Sequence, residues 1–202
     1  MANRASNYWK VIGVAGALAG LVAWPGTGRA QSSSSTLTGQ ASVATASVLG
    51  NVTSLVDTGT LTDPSDPLGT GLPIGSIPGL LTAESLHAVT MGWTDQVASE
   101  ASLSNLAMSV AGTGVSADFI QSRALAVSDA GATGLTSIEG LTIGGVSVSP
   151  TGVPNETISL GGLSVILNEQ IQSASGIVVN ALHVRTLDGS TDVVVGSAKA
   201  GI

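Results

Sequence analysis

Residues 176–197 read GIVVNALHVRTLDGSTDVVVGS, two aliphatic runs joined through Asp188-Gly189. Alternation at period two places successive side chains on opposite faces of an extended chain, so each run predicts a strand. Asp-Gly supplies the backbone freedom of a tight hairpin turn, so the two strands are expected to be antiparallel neighbours. Strict alternation puts Val179, Ala181, His183 and Arg185 on one face of the first strand. Val178, Asn180, Leu182, Val184 and Thr186 then fall on the other. The second run, VVVGSA at 193–198, is uncharged until Lys199 and is expected to be central and buried. On a sheet edge it would instead invite self-association by strand addition.

The same rhythm extends upstream through LTAESLHAVTMG (81–92), ASLSNLAMSVAGTG (101–114), VSADFIQSRALAV (115–127), GLTIGGVSVSP (140–150) and ETISLGGLSVIL (156–167). TAESLHAVTM and SADFIQSRALAV also tolerate a helix, but their even spacing and β-branched residues favour strands. The expected fold is all-β: an antiparallel β-sandwich built from hairpins, with a short irregular β-solenoid as the alternative. LLTAESLHAVTM and GVSADFIQSRALAV echo one another, too loosely for the fixed period of stacked repeats.

At the front, Arg4 and Lys10 precede an apolar run from Val11 to Trp24, closed by Pro25 and the small residues GTGRA. That is the layout of a cleavable export signal. Gly28 and Ala30 suit the positions before the cut, so cleavage is expected between Ala30 and Gln31. The run falls short of the ~20 apolar residues a spanning helix needs, and no later run reaches that length. Residues 1–30 are thus a signal peptide, 31–40 (QSSSSTLTGQ) a flexible Ser/Thr leader, and 41–202 a single β-rich domain. Within that domain 57–80 carries Pro64, Pro67, Pro73 and Pro78 among glycines. It is expected to be a long loop or strap, because proline removes a ladder donor.

Loss of residues 1–30 leaves Arg123, Arg185 and Lys199 against 13 Asp and Glu, a net charge of −10. Three scattered cations cannot form the clustered basic surface that a phosphate backbone demands, which argues against nucleic acid. Without cysteine, no disulfide can brace the fold, which must be held by its core. Trp93 and Phe119 are the only Phe, Trp or Tyr rings beyond residue 30, so that core must be aliphatic.

Chemistry is thinly supplied. His183 stands beside Arg185, and His87 lies far away in ESLHAV; both are read as structural. Two imidazoles and no thiol make a poor zinc set. Asp188, Ser190 and Asp192 alternate as calcium ligands could, but the glycine and terminal acid of a calcium loop are missing, so a hairpin turn is preferred. No GxSxG is present. The sequons at Asn51 and Asn155 are read as coincidence. Neither a catalytic residue nor a cofactor nor a metal is expected. A hydrolase or carbohydrate-active enzyme using Glu100, Glu169 or Asp192 beside His183 is the alternative, and it requires those side chains to converge.

GLSVILNEQ (162–170), IVVNALHV (177–184) and DVVVGSAKAGI (192–202) together resemble the C-terminal signature of the choice-of-anchor P family of exported bacterial proteins. ASLSNLAMSV (101–110) and PNETISL (154–160) are similar to upstream blocks, so the likeness covers roughly residues 80–202. It singles out Asn168, Glu169, Asn180, His183, Asp192 and Gly196 as signature residues. It implies a secreted or cell-surface protein of undefined biochemical role, acting on an envelope or extracellular partner. Members carry varied sorting tails, and no sorting motif stands before Ile202, so release or non-covalent retention is expected.

Overall fold

The computed structural model describes residues 36–64 and 67–202. The expected signal peptide, its cleavage point at Ala30 and Gln31, and residues 31–35 of the leader lie outside them. The chain runs β1 (Thr38–Val48), β2 (Asn51–Asp57), β3 (Leu68–Ile77), β4 (Leu81–Gly92), β5 (Gln96–Val110), β6 (Thr113–Val127) and β7 (Gly131–Glu139). Then follow β8 (Thr142–Ile143), β9 (Val146–Ser147), β10 (Glu156–Leu160), β11 (Leu163–Ser173), β12 (Gly176–Thr186) and β13 (Thr191–Gly201). Both helix-tolerant stretches are strands, β4 and β6. Their β-branched side chains and even spacing suit a pleated, half-buried surface.

All pairings are antiparallel. One sheet has the order β10-β11-β12-β13-β1-β2; the other runs β3-β4-β5-β6-β8-β9, with β7 also beside β6. This is a sandwich of meanders, and the solenoid alternative is discarded. The first and last of these strands lie side by side, with Thr38 opposite Gly201 and Val48 opposite Thr191. β13 therefore has β12 and β1 as neighbours and is central, as expected; it offers no edge for strand addition.

Two expected boundaries are corrected. Residues 36–40 are ordered: Leu37 is buried among Val97, Ala126 and Ile177, and β1 starts at Thr38. Burying Leu37 offsets the cost of ordering this polar stretch. The segment 57–80 is not all loop. Gly39 and Leu61 exchange backbone hydrogen bonds beside β1, but 68–77 forms β3. Proline is tolerated there because β3 is a sheet edge, and Pro73 falls where the ladder skips from Leu72–Leu86 to Ile74–Glu84.

The main core joins Val43, Leu103, Leu106, Ile120, Leu141, Leu167, Leu182 and Val195, and a second cluster of small aliphatics lies around Val97, Ile177 and Val179. A buried polar seam also crosses between the sheets. Thr90 Oγ1 and Ser99 Oγ are 2.7 Å apart, and Ser99 donates to the Lys199 carbonyl at 2.6 Å. A side chain as short as serine spans that gap only where the sheets approach closely, and Gly39 and small residues permit it.

Side-chain alternation reverses halfway along most strands. In β5 the buried set is Val97, Ser99, Ala101 and Leu103, then Leu106, Met108 and Val110. In β12 it is Ile177, Val179 and Ala181, then Leu182, Val184 and Thr186. Left-handed residues mark the change: Ser85 (φ 50°), Asn105 (φ 48°), Asn168 (φ 50°) and Gly196 (φ 65°). Asparagine and glycine are the residues that most readily adopt this conformation. On β11, β12 and β13 the reversals stand level: Asn168 faces the gap at Ala181, and Ala181 that at Gly196, so ladder register is kept.

Candidate functional site

The reversal decides where His183 points. Strict alternation grouped it with Val179 and Ala181, but those two are buried inward, whereas His183 stands outward with Arg185. The unpaired step at Ala181, level with Asn168 on β11 and Gly196 on β13, turns the second half of β12 over. His183 and Asn180, three residues apart, thereby come to share the outer face, and Glu169 on β11 reaches both. Asn180 Nδ2 donates to Glu169 Oε2 at 2.6 Å, and His183 Nδ1 lies 3.0 Å from the same oxygen. From β13, Asp192 closes the other end of the ring, its oxygens 3.1 and 3.2 Å from Nε2.

The His183 and Glu169 side chains are only 12% and 15% exposed, and Asp192 is 48% exposed. Two of the proposed acids have converged, so the test set for the enzymatic alternative is partly met and the geometry must decide. Each ring nitrogen faces a carboxylate. Imidazole carries hydrogen on both nitrogens only as the cation, and that form satisfies both contacts at once. A general base needs a ring nitrogen free to take a proton from a nucleophile, and here both are engaged. The carboxylates lie against opposite ends of the ring, so no single ion bonds both along with a ring nitrogen. What the arrangement does is tie three strands together across the outer face. Asn168 and Gly196 supply the left-handed backbone at the level of this reversal.

The remaining candidates stay apart. Glu100 is on the other sheet, bonded to Arg123 Nε at 2.7 Å and Gln121 Nε2 at 2.9 Å. His87 is exposed on β4, also in the other sheet. Asp188 and Asp192 turn to different partners: Asp188 Oδ1 accepts from the Ser190 amide at 2.9 Å while Asp192 faces His183. Sequence reasoning had Asn180 in the signature but missed its bond to Glu169, because the i to i+3 relation on one face does not exist in a regular strand.

Asp188 yields a pH prediction. Hydrogen bonding by the Thr186 hydroxyl, then by the amide and hydroxyl of Ser190, holds its carboxyl down from 3.8 to about 2. A depressed folded-state value means that the turn's contribution is complete above the ordinary value and fades as pH falls through the folded one. Asp188→Ala is thus expected to lower the urea midpoint at neutral pH, with the gap to wild type closing between pH about 4 and about 2. A gap that stays constant down to pH 2 would show that the carboxylate is not what holds the turn.

No known family, curated protein or solved structure matches the chain.

Proposed function

We propose that this is an exported, non-enzymatic β-sandwich that works at or outside the cell surface through contacts made by its sheet faces. The observation that carries the reading is the engagement of both His183 nitrogens by Glu169 and Asp192. A histidine so placed braces three strands, and each of its ring nitrogens faces a carboxylate instead of a nucleophile. The basic, apolar and small-residue order of the first 30 residues supports export, and the absence of cysteine fits a fold that needs no oxidising compartment. Among the described residues no helix is long and apolar enough to cross a membrane.

The bracing role has a direct test. His183→Ala leaves a largely buried Glu169 carboxylate with one donor fewer, which costs about 2–3 kcal/mol. In a double-mutant cycle with Glu169→Gln, the pair is expected to couple by about 1 kcal/mol or more in urea unfolding. The protein recovered from a secreting host should begin at Gln31 by mass spectrometry. Turnover of ester, peptide or glycoside substrates that is lost in His183→Ala would overturn the reading.

A further inference from the structure

Beside the His183 cluster, the outer face of the six-stranded sheet sinks into a depression of about 340 Å³, crossing β12, β13, β1 and the end of β2. Its volume falls within the ~300–1,000 Å³ usual for small-molecule sites. We infer that this depression binds a neutral sugar unit of an extracellular glycan.

The argument starts from Asn180. It is 6% exposed and lines the depression, yet its Oδ1 has no hydrogen-bond partner. Buried polar atoms are nearly always paired, and an unpaired one is costly enough to require an explanation. The Nδ2 end of the amide is spent on Glu169, toward β11.

The rest of the lining sets the ligand's chemistry. Lys199 has no acidic partner among the described residues, and no hydrogen bond engages the Ser197 hydroxyl. Asp57 is oriented by Gln40 Nε2, at 3.0 and 3.2 Å from its two oxygens, and by the Gly59 amide at 2.7 Å. Ser42 and Thr45 form a hydroxyl pair at 3.1 Å. The lining thus mixes donors and acceptors, with one cation and one anion of opposite charge. A phosphate or carboxylate would suit Lys199 but meet Asp57; an ammonium would suit Asp57 but meet Lys199. Hydroxyl groups, each both donor and acceptor, suit every member of the set. Val178 and Val194 supply an apolar patch for the C–H face of a ring. The depression is open to one side, which suits one unit of a longer chain.

The inference rests on the non-catalytic reading above and gives its contact surface a ligand. To test it, the secreted protein is titrated with maltohexaose, cellohexaose and xylohexaose, and in parallel with glucuronate and inorganic phosphate, followed by backbone amide NMR. At least one neutral oligosaccharide is expected to bind with a Kd of order millimolar. Its shifts should centre on residues 40–45, 178–180 and 194–199. Asp57→Ala and Lys199→Ala, each first shown to melt as wild type does, should weaken binding at least about tenfold. No shift from any neutral oligosaccharide, shifts centred elsewhere, or response to the anions alone would overturn the sugar site. Release of shorter sugars would instead sink the non-catalytic reading, so the two failures are separable.

Discussion

Ile120→Ala is expected to destabilise the protein by about 4 kcal/mol, a large part of the roughly 5–15 kcal/mol by which single domains are stable. Ile120 is fully buried at the centre of β6, just past the point where alternation reverses. Its Cγ2 stands so close to Gly196 that a Cβ there would lie 3.2 Å away. The side chain therefore packs directly on the backbone of the opposite sheet. The surrounding core is made of short, branched groups held at fixed strand positions, and no aromatic ring is at hand to swing into the space. The cavity should stay open, so both the transfer term and the cavity term apply. Urea unfolding is the measurement, with Leu135→Ala as the comparison. Leu135 is 63% exposed on β7, and its loss should change stability by no more than about 0.5 kcal/mol. A similar small effect for Ile120→Ala would mean that the two sheets do not share one core.

Gly39→Val should cost about 3 kcal/mol, by overfilling rather than by emptying. Gly39 lies in β1 where the sheets approach closely. A Cβ there would collide with Thr90 Oγ1 and would stand 2.8 Å from Val97 Cγ1 and 3.3 Å from Ser99 Oγ. Relief requires either parting the sheets or rotating Thr90 away from Ser99, and the latter breaks the relay to the Lys199 carbonyl. Gly114→Ala is the matched control. Nothing lies within 4 Å of a Cβ at Gly114, and its φ is outside the left-handed region. Alanine there should be neutral or stabilise by up to about 1 kcal/mol, by restricting the unfolded chain. Equal effects at the two glycines would refute the close approach of the sheets at the Thr90–Ser99 seam.

The two substitutions probe features of different legibility. That residues near Ile120 form a strand could be read from SADFIQSRALAV, whose even spacing defeats a helical stripe. That Ile120 itself points inward could not, because the alternation of Val115 and Ala117 would have turned it out. Asn105 and Asn168 were visible as residues that tolerate a left-handed backbone, but an asparagine in an alternating run has many other uses. Only when neighbouring strands reverse at the same level does the ladder stay intact. Pro73 misled for a related reason. Proline is incompatible with a central strand and compatible with an edge, and the sequence does not say which strand is the edge.

Local patterning by itself determined that the described residues are all-β, built of hairpins, with an aliphatic core. These are properties of residues a few positions apart, where period-two burial and turn chemistry act directly. Only the tertiary structure decided that the last strand pairs with the first, that β12 turns over midway, and that Glu169, Asn180, His183 and Asp192 meet on the outer face. Pairing Thr38 with Gly201 closes almost the whole domain into one loop. Its stability comes from burying both sheet faces together, and that collective gain has no signature in any short stretch of sequence.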